Sequence, residues 1–416
     1  MDNAGKFWAE LDNLLSQGEH DQDMARKSID LYINVMAKYE DDYLKTEMDF
    51  KKCCYALLDS RTFQMFLNKT IEHLIHLAVM HIDFKELWVI YNILFLAGKE
   101  NSINFKLMSS FKEMNFIFKL KQNICELEEG HRVQKISVNL LFEICRIQRL
   151  SQNEIYMIDE SFLNHLLDIV ENTRDEVDET FNYSIIRLIL SFNEQFMAHQ
   201  ATYQNFDDDL NHNTLLKVLS TRFGTSKTFG ENVIFMLNRE VEPHIQMLIL
   251  KLLYNIFNAP ETYEYFYTND LCVLIDVFIR ELYDLPEESE ALRHSYLRVL
   301  YPLITNTQLF QNRYKKHHIY SLLLDLIGFT TKQFKPISPT TQRLVDRCLL
   351  AEYFEGISHT KTTINDNKNN KNCLPITPNS IAFPINTIDT TNRTTTSTTT
   401  GNNGVNLQGK FLRATF

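Results

Sequence analysis

The chain has 416 residues, 42 Lys and Arg against 53 Asp and Glu, and 44% hydrophobic residues with only 11 Gly and 9 Pro. A single hydrophobic core stops growing near ~250–300 residues, so this length and apolar content exclude one compact core and suit an extended array. The net charge is −11, split as −15 for residues 1–358 and +4 beyond them, which argues against duplex nucleic acid, a ligand that needs a positive footprint.

Helical periodicity begins with Phe7, Trp8, Leu11, Leu14 and Leu15, spaced at i, i+1, i+4, i+7 and i+8. Further amphipathic stretches follow at 24–39, 43–58, 70–81, 84–97, 131–149, 159–171 and 177–199, then at 226–238, 243–258, 270–284, 288–305, 317–328 and 339–354. Nothing alternates as a strand would. Helix-start chemistry marks several of these, with Asp159 before ESFLNHLL and Ser338–Pro339 before TTQRLV. The polar run YQNFDDDLNHN, 203–213, reads as a loop insertion in one repeat.

One aromatic recurs inside these stretches at Tyr91, Phe142, Phe192, Tyr254, Tyr301 and Tyr353, with successive differences of 51, 50, 62, 47 and 52. A near-constant period of that length filled by helices predicts an all-α, armadillo- or HEAT-like, right-handed helical solenoid over residues 1–358. From 359 to 416 the composition turns to Thr, Asn and Ser, which cannot offset the entropy of ordering a backbone, so this tail is expected to be disordered. It holds one PxxP, Pro375 and Pro378, with Asn372 and Ser380 where a basic flank is expected; a chance occurrence and an SH3 ligand are both open readings.

Motifs of catalysis are missing. Gly224-Thr-Ser-Lys-Thr-Phe-Gly230 has five residues between its glycines instead of the four of a phosphate loop, and Glu231 follows where Lys is required. It reads as a loop and helix start in which Thr225 or Ser226 caps the next helix. His73 and His76 lack a third ligand, and neither GxSxG nor a catalytic-cysteine signature occurs, so no enzyme, metal or cofactor is expected. The seven cysteines form no CxxC and read as reduced core residues of a cytosolic protein. No leader-like segment opens the chain and no apolar run reaches ~18–20 residues, so membrane insertion is not expected.

Projected at 100° per residue, the helix around Tyr254 places Met247, Lys251, Tyr254, Asn255 and Asn258 opposite a broad apolar side. Aligning Tyr301 with Tyr254 sets Arg298 over Lys251 and Thr305 over Asn258. Two readings stand: a solvated face, or a recognition stripe whose anchors are Lys251, Tyr254, Arg298 and Tyr301, residue types that include those enriched at hot spots. Arg313, Lys315 and Lys316, with His317 and His318, form the densest positive cluster in the acidic body. Cations at a helix start oppose the helix dipole by ~0.3–1 kcal/mol, so docking on an acidic partner stands beside a plain solvated helix start.

The segments TRFGTSKTFGENVIFMLNRE (221–240), ETYEYFYTNDLCVLIDVFIRELYDLPEESEALRHSYLRVLYPLITNTQL (261–309) and YKKHHIYSLLLDLI (314–327) resemble the leucine-rich, armadillo-like domain of the WISH/DIP/SPIN family, including its yeast Ldb-type members. The resemblance implies a cytoplasmic activator of the Arp2/3 complex at endocytic cortical actin patches. Such a protein binds Arp2/3 through the armadillo-like domain, acts without a preformed mother filament, and leaves a linear filament, attached at its pointed end through Arp2/3, that seeds branching. Animal members add an N-terminal SH3 domain, for which patterning from residue 7 leaves no room, and yeast members tend toward a richer proline tail that recruits SH3 proteins. The only Trp residues are Trp8 and Trp88 and the tail is net positive, so activation is expected from the folded body and not from an acidic, Trp-bearing tail. The alternative is an endocytic scaffold that binds peptides and SH3-domain proteins without activating Arp2/3 directly.

Overall fold

A computed structural model describes residues 3–19, 21–80, 83–174, 179–202, 213–328 and 337–357, all within one compact unit. In chain order the helices are α1 (Asn3–Gln17), α2 (Gln22–Tyr43), α3 (Glu47–Asp59), α4 (Arg61–Met65), α5 (Leu67–Met80), α6 (Phe84–Glu100) and α7 (Ile103–Ser110). Next come α8 (Phe116–Glu126), α9 (Arg132–Ile147), α10 (Gln152–Tyr156), α11 (Glu160–Asn172), α12 (Thr180–Thr202), α13 (Thr214–Thr221) and α14 (Lys227–Arg239). The last are α15 (Pro243–Asn258), α16 (Thr268–Asp284), α17 (Glu290–Asn306), α18 (Leu309–Asn312), α19 (Lys316–Leu326) and α20 (Pro339–Leu349). No strand occurs among the described residues.

The helices form a two-layer stacked array, an all-α solenoid. One layer is a spine in which α2, α6, α9, α12, α15, α17 and α20 each pack on the next. Behind its later part, α11, α14, α16 and α19 stack in the same way, and the pairs α11–α12, α16–α17 and α19–α20 join the layers. The recurring aromatic is therefore the repeat itself, since Tyr91, Phe142, Phe192, Tyr254 and Tyr301 fall one each on α6, α9, α12, α15 and α17. Tyr91, Phe142 and Phe192 are buried, and the Tyr91 hydroxyl accepts a 2.8 Å bond from Asn123 Nδ2 on α8, which satisfies its polar end inside the core.

Tyr353 departs from the pattern. The helix expected to run to 354 ends at Leu349, and Tyr353 is buried in a short 3-10 turn, 352–354, where its hydroxyl donates to Tyr314 O at 2.6 Å. The segments that escaped the periodicity are mostly short: α4, α10 and α18 have five, five and four residues, too few for a 3.6-residue period to show. Cys53, Cys54, Cys145 and Cys348 are core residues as expected, with burial pushing the Cys53 and Cys348 thiols up to about 12, whereas Cys125 is exposed and Cys272 half-buried. The insertion at 203–213 falls outside the described residues except Asn213, whose Oδ1 accepts from Leu215 N and caps α13. The tail 359–416, with Cys373, Pro375 and Pro378, lies outside them entirely.

Asp159 caps α11 as its position suggests, accepting from Phe162 N at 2.8 Å. For α14 the cap comes from elsewhere. Neither Thr225 nor Ser226 bonds its first turn; the Glu171 carboxylate of α11 accepts from Thr228 N at 3.2 Å and Phe229 N at 3.1 Å. Ser226 is engaged otherwise, its Oγ accepting from Arg222 Nε at 2.7 Å while Arg222 also reaches Asp168 at 2.6 Å. A carboxylate at a helix start also meets the positive end of the dipole. Glu171→Ala is thus expected to cost about 1 kcal/mol, against less than about 0.5 for Thr225→Ala, in urea-unfolding midpoints.

Candidate functional site

Of the residues singled out from the sequence, Lys251 and Tyr254 lie on α15 and Arg298 and Tyr301 on α17, on which α20 packs. On α15, Ile245, Leu248, Ile249, Leu252, Leu253 and Ile256 are buried, as the projection requires. Tyr254 on the opposite arc is half-buried and Asn258 exposed, with Asn258 Nδ2 donating to Tyr254 O at 2.6 Å. On α17, Tyr301 is likewise half-buried, and Thr305 Oγ1 donates to Tyr301 O at 2.8 Å. The aligned pair Asn258 and Thr305 thus play one local role, each binding the carbonyl of the tyrosine one turn earlier.

Lys251 does not belong to an exposed stripe. Its side chain is only 6% exposed and pairs with Glu194 of α12. Beside it, Asn193 Oδ1 accepts from Asn255 Nδ2 at 2.9 Å and from Asn213 Nδ2 at 2.8 Å. The single-helix projection places Lys251 correctly around α15 but contains nothing of α12, whose packing covers it. Lys251 is an internal strut between repeats.

Arg298 keeps a half-buried position near Tyr254. Burial first, and then the charge of Arg343, pull its guanidinium below the usual arginine range, while Tyr254 acts in the opposite sense. His294, one turn earlier, shares a 2.9 Å hydrogen bond with Thr341 Oγ1 of α20, and burial, then Arg298, hold its imidazole below the usual value. Arg347 of α20 lies over the Tyr301 ring with its guanidinium carbon 3.9 Å from the centroid. The aromatic period marks the last repeat by Tyr353 and passes over Arg343 and Arg347. The usable signal was their i, i+4 spacing within TTQRLVDRCLL, which sets both on one helix face.

The cluster at 313–316 is an intramolecular clasp. Arg313 and Lys315 both take left-handed backbone angles, φ 45° and φ 50°, between α18 and α19. Lys315 Nζ pairs with Asp276 Oδ1 at 2.8 Å, and Tyr314 donates to Asp276 Oδ2 at 3.3 Å, tying the turn to α16. Arg313 Nη1 donates to Glu355 O at 3.1 Å and Lys316 Nζ donates to the same carbonyl, so the turn also holds the chain after the 352–354 turn. These contacts offset the backbone strain of two non-glycine residues at positive φ. His317 and His318 remain exposed.

Among the described residues no group of three or more His, Cys, Asp or Glu is placed to hold a metal, and His73 instead bonds Asp30 at 2.7 Å. No described helix is long and apolar enough to cross a membrane.

A family model for the SPIN90/Ldb17 leucine-rich domain matches residues 178–319, from the start of α12 into α19. Protein dip1 of Schizosaccharomyces pombe is 31% identical over 332 residues, covering 79% of this chain and 87% of that protein. Protein LDB17 of Saccharomyces cerevisiae is 24% identical over 373 residues, covering 78% of this chain and 74% of that protein. Among solved structures, a designed armadillo repeat protein in complex with the peptide (KR)4 aligns with a TM-score of 0.33 at 11% identity, covering 67% of this chain and 98% of that one.

Proposed function

We propose that this chain, which belongs to the SPIN90/Ldb17 family, binds the Arp2/3 complex through its helical array and activates it without a preformed mother filament. The linear filaments so produced seed branched networks at endocytic cortical actin patches. The observation that carries this reading is the extent of the kinship with protein dip1, 31% identity over 79% of this chain, taken with what the family resemblance implies. The family-model match falls on α12 to α19, the part of the array that presents Tyr254, Arg298 and Tyr301.

Those three are the contact residues of this reading. They lie on neighbouring spine helices that pack directly on one another, so a partner gripping both is held by a stiff surface. Lys251 supports that surface from within, and Arg313, Lys315 and Lys316 hold the last turn of the array in place. To activate, the array must bind the active arrangement of Arp2/3 more tightly than the inactive one, because a ligand shifts an equilibrium only by its differential affinity.

Purified Arp2/3, actin monomers and this protein, with no preformed filaments, are expected to assemble with a shortened lag and to show linear filaments when imaged. Assembly no faster than with Arp2/3 alone, from protein whose helicity is intact, would sink the reading.

A further inference from the structure

Several cations along the spine are neutralised in place as far as α15. Lys99 and Arg146 share Glu143, Arg187 meets Glu240 at 3.2 Å, and Lys251 meets Glu194. On α20 this pairing stops. Arg343 is exposed, and its hydrogen bond among the described residues is a 3.3 Å contact from Nη2 to Thr340 Oγ1. Arg347 is engaged by the Tyr301 ring, and neither arginine has an ion pair with a described carboxylate. Asp346 stands between them in sequence, but its Oδ1 takes the Gln342 amide at 2.8 Å.

Arg298 of α17, which has interactions of its own, stands close enough to Arg343 for the two charges to oppose each other. Arg293 adds a fourth positive charge toward His294 but spends its guanidinium on the carbonyls of Leu285 and Pro286, at 3.0 and 2.9 Å. Glu290 is the acid that faces His294 from the same helix. Leu350, 85% exposed, follows directly on α20. A positive, aromatic and partly apolar surface therefore sits in a body whose residues 1–358 sum to −15.

We propose that Arg298, Arg343 and Arg347, set around Tyr254 and Tyr301, form a docking surface for a carboxylate-rich segment of a protein partner. The inference rests on the activator reading for the identity of that partner, the Arp2/3 complex, and adds the chemistry of the segment bound. Charge complementarity commits the surface to an anion, and the guanidinium fork matches a carboxylate with two parallel bonds. Stacking on Tyr301 holds the Arg347 plane ready, which reduces the rotamer entropy lost on binding. A bound anion also relieves the mutual repulsion of Arg298 and Arg343. Duplex nucleic acid, the other polyanion, is opposed by the charge of the remaining surface.

The test compares the native full chain with R343E/R347E against two labelled probes, the Arp2/3 complex and an octaglutamate peptide, by fluorescence anisotropy at low and high salt. The native chain is expected to bind both, more weakly as salt rises, and the reversal to weaken Arp2/3 binding about tenfold or more at low salt and to abolish peptide binding. Peptide binding equal in the two chains, or absent from the native one, overturns the proposal, as does Arp2/3 affinity unchanged by the reversal. Patch-dependent peptide binding without any Arp2/3 binding by the native chain would retain the docking surface and remove the activator reading. R343Q, which alters a single exposed side chain, is expected to weaken the peptide in the same direction at unchanged helicity, so a misfolded double variant cannot decide the outcome.

Discussion

Lys251→Met is expected to lower the unfolding free energy by about 3 kcal/mol, read from denaturant unfolding followed by helicity. The side chain is 6% exposed and Glu194 opposite it 23% exposed, so removing the cation strands a carboxylate with little access to water. The half-buried His244 imidazole nearby is held below its usual value by burial, with Glu194 acting in the opposite sense. Replacing both members, Lys251→Met with Glu194→Gln, is expected to recover most of the loss, since the cost lies in the unpaired charge and not in the absence of the pair. A single-variant loss below about 1 kcal/mol would show that Glu194 is hydrated or rebonded without Lys251. Treated as a surface contact, Lys251 would instead have been expected to change binding alone.

Arg298→Ala combined with Tyr301→Ala is expected to weaken Arp2/3 binding by about 100-fold, the scale of two central anchors, while lowering stability by only about 1–2 kcal/mol. Some stability must be lost, because the Tyr301 ring is half-buried and carries the Arg347 guanidinium at 3.9 Å. Tyr301→Phe keeps the ring and that stacking, and is expected to keep most of the binding. Parallel titration of binding and thermal unfolding separates the cases. If affinity falls only as far as the folded fraction does, these residues are structural and the spine face is not the contact.

Much of the array is legible in the sequence. All thirteen amphipathic stretches after α1 correspond to helices, with ends displaced by a few residues, because a helix that must bury one side writes a 3.6-residue period into its own sequence. Of the recurring aromatics, Tyr91, Phe142, Phe192 and Tyr353 are buried and Tyr254 and Tyr301 are half-buried, the boundary place that the projection of α15 gives Tyr254. Tyr353 differs in one respect, since it reaches its buried place by a turn after α20 and not on a helix running to 354.

The site residues divide differently. Whether Lys251 faces solvent depends on Glu194, 57 positions away; whether the 313–316 cluster is free depends on Asp276 and Glu355; and the cap of α14 is supplied by Glu171 on α11. By itself the sequence determined an all-helical stacked array, the length of its repeat, and the arc of each helix that turns inward, because those follow from periodicity along one chain segment. Only the tertiary structure decided which charges are consumed in holding repeats together and which, such as Arg343, are left exposed. Electrostatic and hydrogen-bonded pairing acts through space between helices, and its partners are set by how successive repeats stack.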